Sequence, residues 1–111
     1  MLSLPLDRLD RRERLERADR YLDALKLGRL KAIVFGSVAR GDFTAESDTD
    51  LLIVSDELPQ DRRQRLDVLF RALDVAPEVE PIGWTLDEWQ RRRERGDPFV
   101  AVVEREGVPL R

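Results

Sequence analysis

The most informative segment of the sequence begins with Phe35-Gly36-Ser37-Val38-Ala39-Arg40-Gly41 and continues, after the polar loop Asp42 to Ser47, with Asp48-Thr49-Asp50-Leu51-Leu52-Ile53-Val54. The compact apolar run Leu30 to Phe35 predicts a strand that ends at Gly36. Ser37 to Arg40 predicts a short helical turn, which Gly41 closes. Thr49 to Val54 predicts a second strand that is buried on much of both faces. The chain therefore turns sharply at the end of one strand and begins the next strand with acidic residues.

The segments on either side of this stretch continue an alternating α/β pattern. Leu6 to Leu27 favours a helix with one apolar stripe, and Gly28 is its expected stop. Pro59 to about Leu73 predicts a second long helix. Val79 to Trp84 predicts a third strand, which Pro81 confines to an edge or an irregular position. The side chains expected to face the core are Leu9, Leu15, Ala18, Leu22 and Leu25 in the first helix and Leu66, Leu69, Phe70 and Leu73 in the second.

The last part of the chain has clear helix boundaries. Thr85 and Glu88 predict a capping box at the start of a helix that runs from Leu86 to Arg95. A further helix is expected from Asp97-Pro98 to Gly107, because proline is favoured in the first helical position. Val108 to Leu110 predicts a short final strand.

The length of the chain indicates how many domains it forms, and its composition excludes several kinds of active site. The 111 residues are the size of one domain, so residues 1–111 are expected to form a single α/β (α+β) domain: a small mixed sheet with helices packed mainly on one face. The net charge of −3 and the pI near 5.1 argue against nucleic acid as the main partner. The chain has no cysteine and no histidine, which excludes disulfides, thiolate chemistry and the usual zinc sites. Any general base must therefore be a carboxylate, a lysine or a metal-bound water.

The expected location is cytoplasmic, and no membrane partner is expected. Met1 to Leu6 is too short for a signal peptide and lacks its basic start. No apolar run approaches the length that spans a membrane.

Asp48 and Asp50 are the first candidates for chemistry. Residues two apart in a strand point to the same face, about 6.5–7 Å apart along the chain. Two carboxylates so placed, with no lysine or arginine between them, repel each other unless a cation bridges them, and hard oxygen ligands favour Mg²⁺. Two such ions can clamp a phosphoryl group that undergoes in-line displacement. The alternative is that the pair merely forms the polar beginning of a strand.

Gly36 and Ser37 are the second candidates. A short helix that starts directly after a strand presents free backbone N–H groups, which suit an anion. Gly36 allows the backbone to approach a phosphate closely, and the Ser37 hydroxyl can donate to a phosphate oxygen. The alternative is an ordinary tight turn. If both candidates are correct, a triphosphate and its metal would lie side by side on adjacent strands.

The joint pattern is Gly-Ser, ten residues, then Asp-x-Asp before an apolar strand. It resembles the DNA-polymerase-beta-like nucleotidyltransferases, and the short chain resembles the minimal nucleotidyltransferases of bacteria and archaea. The residues that carry the resemblance are Gly36, Ser37, Arg40, Gly41, Ser47, Asp48, Asp50 and Leu51.

This resemblance implies the nucleotidyltransferase fold and a Mg²⁺-dependent transfer of a nucleoside monophosphate, in the first instance AMP from ATP. The implied nucleotide-binding residues are Gly36, Ser37, Arg40 and Ser47. The family also implies a third carboxylate on the neighbouring strand, which joins Asp48 and Asp50 in catalysis and metal binding and takes the proton from the attacking hydroxyl. Glu80 is the best match for it, and Glu78 is the substitute.

The resemblance implies a partner as well. Minimal members commonly pair with a small helical HEPN toxin and act as its antitoxin, so the acceptor would be a hydroxyl on that toxin, often of a tyrosine. A second hypothesis is a binding module that neutralises its partner by occlusion and has a weakened catalytic site. The intact Asp48/Asp50 pair favours the enzyme, whereas Pro81 beside Glu80 favours the binding module. Transfer to a small molecule such as an aminoglycoside is a third option.

Other charged and aromatic residues have plainer interpretations. Arg40 is either a phosphate contact or a surface charge of the short helix. The basic run Arg91 to Arg93 with Arg95 is expected to be a solvated helix face or a protein interface, because acidic residues lie close by. Trp84 and Trp89 are expected to anchor a core or an interface rather than to stack on bases.

Overall fold

The computed structural model describes the backbone of residues 6–111 and the side chains of residues 11–111. The predictions about residues 1–5, and the prediction that the Leu9 side chain faces the core, concern parts of the chain outside these ranges. The described helices are α1 (Leu6–Leu25), α2 (Gly36–Arg40), α3 (Arg62–Arg71), α4 (Leu86–Glu94) and α5 (Pro98–Glu106), with a 3-10 turn at Ala72–Asp74. The described strands are β1 (Lys31–Phe35), β2 (Thr49–Val54), β3 (Val79–Trp84) and β4 (Val108–Pro109). The predicted order of helices and strands is confirmed.

The four strands form one mixed sheet in the order β3-β2-β1-β4. β1 is antiparallel to both β2 and β4, with Val34 opposite Leu51 and Val108. β2 and β3 are parallel, with Leu52 opposite Ile82. β3 lies at an edge, as Pro81 predicts, because the missing N–H of proline is tolerated there.

Side-chain alternation along the two central strands creates a core on each face of the sheet. Ala32, Leu51 and Ile53 belong to the larger core, together with α1, α2 and α3. Leu52 and Val54 point the other way and pack with α4 and α5. The longest helix and most of the buried apolar side chains thus lie on one face, and the second face is covered by a thinner layer. None of the helices described here is long and apolar enough to cross a membrane.

The end of α1 differs from the prediction. The helix stops at Leu25, and Lys26 takes the left-handed conformation with φ 57°. Gly28 is therefore not the helix stop. Its N–H instead donates to Glu57 Oε1 at 2.9 Å, which ties the loop after α1 to the loop after β2.

The start and the buried face of α3 were also predicted wrongly. Asp61 rather than Pro59 starts the helix, because its side chain accepts from the backbone N–H of Gln64. Leu66 and Phe70 are 46% and 52% exposed instead of buried. Arg65 takes the buried position, and its guanidinium donates to Pro59 O, Gly83 O and Glu88 Oε1. An arginine can replace leucine in this position because its charge and donors are all matched.

The boundaries of the last two helices are confirmed apart from the exact end of α4. Thr85 and Glu88 form the predicted capping box of α4, with both reciprocal hydrogen bonds present. Asp97 caps α5 through its side chain, and Pro98 occupies the first turn. These local signals are strong because they satisfy backbone N–H groups that a helix leaves unpaired at its start.

Candidate functional site

The centre of the candidate site is the contact between Gly36 and Asp50. β1 and β2 place Phe35 opposite Asp50, so the next residue, Gly36, turns over the aspartate. Gly36 has φ +73°, and a Cβ at this position would overlap Asp50 Oδ2. Only glycine satisfies both the backbone conformation and the space. Gly36 and Asp50, which the sequence pattern assigns to one site, therefore lie in direct contact.

α2 is a single short turn that starts at Gly36 and ends at Gly41. Its N-cap residue is Phe35, whose side chain cannot accept a hydrogen bond from the first N–H groups of the helix. Gly41 takes the left-handed conformation, and its N–H donates to Ser37 O at 2.8 Å. The turn has the shape that the sequence predicted, with the half-buried Ser37 beside Gly36.

Three carboxylates meet at the same end of the sheet. Asp48 is exposed just before β2, Asp50 is partly buried in β2, and Glu80 lies directly opposite Asp50 on the parallel strand β3. Burial and the neighbouring charge of Asp48 raise the pKa of Asp50. The charge of Asp50, then burial and Asp48, raise the pKa of Glu80. Asp48 thus makes ionisation of Asp50 and Glu80 less favourable, and Asp50 does the same to Glu80, which is the condition a cation relieves.

Glu78, the substitute for Glu80, is already engaged elsewhere. Its two oxygens accept from Arg17 Nε at 2.7 Å and from Arg17 Nη2 at 3.0 Å. Burial would raise the pKa of Glu78, but the hydrogen bonds and charge of Arg17 lower it overall. The bidentate pair holds Glu78 as an ionised structural group at the start of β3. Of the two glutamates, Glu80 is the one placed beside Asp50.

The donor set suits Mg²⁺ shared with a nucleotide rather than a closed metal cage. Among residues 11–111, no three acidic side chains are gathered closely enough to hold an ion by themselves. Mg²⁺ usually takes one or two carboxylates and completes its octahedron with water and substrate phosphates. Asp48 and Asp50, mutually repulsive and next to a glycine turn, fit this requirement.

Arg40 and Ser47 lie near the site but have partners of their own. Arg40 Nε donates to Asp42 Oδ2 at 3.1 Å, and its pKa is raised first by that hydrogen bond and the Asp42 charge, with a smaller contribution from Asp50. Ser47 Oγ accepts from the backbone N–H of Thr44 at 2.9 Å. Ser47 thus shapes the loop before Asp48, and Arg40 keeps a solvent-exposed side chain close to the carboxylates.

Three arginines on α1, which the sequence pattern does not single out, hold the site together. Arg11 donates to the carbonyls of Val38 and Ala39 at the end of α2. Arg14 donates to the loop before β2, and Arg17 pairs with Glu78. The sequence does contain a sign of their common role, because Arg11, Arg14 and Arg17 are three residues apart. Residues at this spacing are neighbours on the surface of a helix.

The other basic and aromatic residues match their plain interpretations. Arg92 and Arg93 pair with Asp97 and Glu104 at 3.2 Å each, so the basic run of α4 is largely an ion-paired helix face. Trp84 is buried in the smaller core, with its ring centroid 6.1 Å from that of Trp89. These residues therefore stabilise the second face of the sheet.

The fold and the glycine–carboxylate site identify a known class of protein. Residues 15–102 match the family model of the nucleotidyltransferase domain, and the chain belongs to that family. A Methanocaldococcus jannaschii protein named "putative protein adenylyltransferase" is 58% identical over 40 residues, a span that covers 32% of this chain and 40% of that protein. The crystal structure of a "putative nucleotidyltransferase" from Sulfolobus solfataricus matches with a TM-score of 0.70 and 20% identity, over 99% of this chain and 90% of that one. The resemblance to minimal nucleotidyltransferases and the fold class are thus confirmed.

Proposed function

We propose that this chain, as a single domain of residues 1–111, is a Mg²⁺-dependent adenylyltransferase that transfers AMP from ATP to a hydroxyl of a protein partner. One observation carries the proposal: Asp50 lies between Gly36, which packs on its carboxylate, and Glu80, which lies opposite it on β3. Membership of the family supports nucleotidyl transfer. The name of the M. jannaschii relative supports adenylyl transfer and a protein acceptor.

In this proposal each residue has a separate task. Gly36 lets the backbone approach the β- and γ-phosphates, Ser37 donates a hydrogen bond to one of them, and Arg40 and Ser47 border the nucleotide. Asp48 and Asp50 would hold Mg²⁺, with Glu80 as the third carboxylate. The metal would neutralise phosphate charge as the α-phosphate is attacked.

Glu80 is proposed as the general base. It lies directly opposite Asp50 on β3, and its exposed side chain is accessible to an incoming hydroxyl. The acceptor hydroxyl oxygen forms a bond to the α-phosphorus, the bond from that phosphorus to pyrophosphate breaks, and the hydroxyl proton moves to Glu80. Since there is no histidine in the chain, a carboxylate is the natural group for this step.

The proposed partner is a small helical HEPN toxin, and the chain would act as its antitoxin in the cytoplasm. A second candidate function, neutralisation by occlusion, is favoured by a different observation. Among residues 11–111 the carboxylates do not form a closed group of three, and Glu80 precedes Pro81 on the edge strand. A weakly catalytic chain could then silence the toxin simply by covering it.

The deciding experiment first establishes whether the adjacent reading frame encodes a small helical HEPN protein, and then uses mass spectrometry of that protein after incubation with this chain, Mg²⁺ and ATP. The expected result is the addition of one or more adenylyl groups to the toxin by the wild type and none by the double variant Asp48→Asn with Asp50→Asn. Toxin activity is measured in the same samples. A wild type that silences the toxin without adding mass supports occlusion and contradicts the enzyme.

A further inference from the structure

The loop that carries Asp48 is weakly organised by itself. Residues 42–48 form no helix or strand. Within the loop, the Ser47 N–H donates to Thr44 O at 3.1 Å and the Thr44 N–H donates to Ser47 Oγ at 2.9 Å. These bonds close one tight turn but do not attach it to the body of the domain.

That attachment comes from one side chain of α1. Arg14 Nη1 donates to Ser47 O and, at 3.1 Å, to Thr49 Oγ1. Arg14 Nη2 donates to Ala45 O at 3.1 Å and to Thr44 O at 3.4 Å. Thr49 is fully buried at the first position of β2, so the arginine links a fixed residue of the sheet to the loop in front of it.

The guanidinium is well suited to this task. Its donors form a rigid planar fork, so four acceptors on one side fix the loop in both position and orientation. The ring of Phe43, which is buried, lies 5.4 Å from the Arg14 guanidinium carbon and supports it from another side. The flexible arginine stem is thereby held in one place.

Asp48 lies between two residues that Arg14 contacts, Ser47 and Thr49. Asp48 is itself exposed, so burial does not hold its side chain near Asp50. We propose that Arg14 is a positioning residue, which fixes the Asp48 loop and thereby sets the affinity of the Asp48/Asp50 pair for a divalent cation. The inference rests on the function proposed above and deepens it.

The other two arginines of α1 do not share this position. Arg11 reaches the end of α2, and Arg17 reaches Glu78 before β3. Arg14 alone among these three contacts residues on both sides of a candidate metal ligand. Groups that orient a metal ligand without touching the ion typically change metal affinity by about 10- to 100-fold when they are removed.

The test measures the weaker binding of Mn²⁺ in the absence of ATP, where water completes the ligand set that Asp48 and Asp50 begin, by calorimetry and electron paramagnetic resonance. Arg14→Ala should bind Mn²⁺ about tenfold more weakly than the wild type. Millimolar guanidinium added to Arg14→Ala should restore part of the affinity, because it can refill the same donor position. Arg20→Ala removes an exposed arginine of the same helix and should bind like the wild type.

Loss of stability needs its own control. Tyr21→Phe removes a buried hydrogen bond to Leu69 O, a bond in which no residue of the Asp48 loop takes part, and should lower stability without changing Mn²⁺ affinity. Arg14→Lys keeps the charge but cannot reach four acceptors, so its affinity should also fall, even if Arg14→Ala does not fold. Wild-type affinity in the folded Arg14 variants, or an equal loss in Tyr21→Phe, overturns the positioning role. Equal Mn²⁺ binding by the wild type and by Asp48→Asn with Asp50→Asn overturns the proposed metal site itself.

Discussion

Gly36 packs so closely on the carboxylate of Asp50 that a Cβ at position 36 would occupy the same space as Asp50 Oδ2. Position 36 therefore requires glycine for two separate reasons, the left-handed backbone with φ +73° and the lack of space for a side chain. A substitution at Gly36 conflicts with both requirements. A substitution at Gly96, where φ is +71° and no atom lies within 4 Å of an added Cβ, conflicts only with the first.

Replacing these two glycines with alanine separates strain from function. Both Gly36→Ala and Gly96→Ala should lose about 1–2 kcal/mol of unfolding free energy, the cost of a left-handed alanine. Gly36→Ala should in addition displace Asp50 and reduce nucleotidyl transfer at least 100-fold. Thermal unfolding and the toxin-modification assay measure the two effects. Equal activity of the two variants would show that the Gly36 turn is only structural.

Removing the charge of Asp50 should stabilise the protein while it weakens the binding of Mg²⁺ and ATP. Burial and Asp48 raise the pKa of Asp50, so the folded state disfavours its ionised form, and stability falls as pH rises from 3.8 through that raised pKa. Asp50→Asn should therefore be more stable at pH 7, by roughly 0.2–1 kcal/mol, because the partly buried side chain no longer carries a charge next to Asp48 and opposite Glu80. The gain should vanish at low pH.

The same Asp50→Asn variant should bind Mg²⁺ and ATP at least tenfold more weakly. Urea unfolding at pH 7 and pH 3.5 measures the change in stability, and calorimetry in the presence of Mg²⁺ measures the change in ATP affinity. An Asp50→Asn protein that is less stable than the wild type and still binds Mg·ATP would contradict the assignment of Asp50 to a metal site.

Local signals in the sequence were sufficient for most of the backbone. Both ends of β2 agree with the prediction, because a short apolar run between polar residues is typical of a buried strand. The capping box of Thr85 and Glu88 fixed the start of α4 for the same reason. Gly36 and Asp50 were assigned to one site because their spacing places them on paired strands.

What the sequence could not supply were the long-range contacts of arginine. Arg65 replaced Leu66 and Phe70 on the buried side of α3 because acceptors from the loop before it, from β3 and from α4 converge on its guanidinium. Arg14 and Arg17 likewise have partners more than thirty residues away. Periodicity treats an arginine as a surface residue, so it cannot detect one whose acceptors come from other parts of the chain.

The contacts of Glu88 predict that the stability of the protein falls at acidic pH. Its Oε1 accepts from the Thr85 N–H and from Arg65 Nη1, each at 2.7 Å. Burial would raise the pKa of Glu88, but these two hydrogen bonds lower it overall. The resulting stability is fully present above the ordinary pKa of 4.5 and is lost as pH falls through the lower folded value.

Glu88→Gln should consequently lose about 1–2 kcal/mol at pH 7, a value kept modest by the partial exposure of the glutamate. The difference from the wild type should shrink below pH 4.5. Asp87→Asn, which removes an exposed ion pair with Arg91 in the same helix, should change stability much less. Chemical unfolding from pH 3 to pH 8 gives the comparison, and a pH-independent Glu88→Gln effect would contradict the role of the charge.

The last prediction distinguishes Glu80, in β3, from Glu78, which directly precedes that strand. Glu80 faces Asp50 across the parallel pair of strands, whereas Glu78 is held by Arg17. Glu80→Gln should keep Mg·ATP binding within a few-fold but reduce nucleotidyl transfer by two or more decades, on the order of 3 kcal/mol of barrier, because the general base acts in the chemical step.

Glu78→Gln is the matched control, with the same change of chemistry two residues away. It should weaken the pair with Arg17 and lower stability by up to about 1 kcal/mol, since both side chains are partly exposed, while transfer stays near the wild-type rate. Mass spectrometry of the modified partner and thermal unfolding give the two readouts for each variant. If Glu78→Gln were the inactive protein and Glu80→Gln the active one, the catalytic carboxylate would be Glu78, and its pair with Arg17 would have to open during the reaction. If both variants transferred AMP normally, the proton of the acceptor hydroxyl would not be taken by either Glu80 or Glu78.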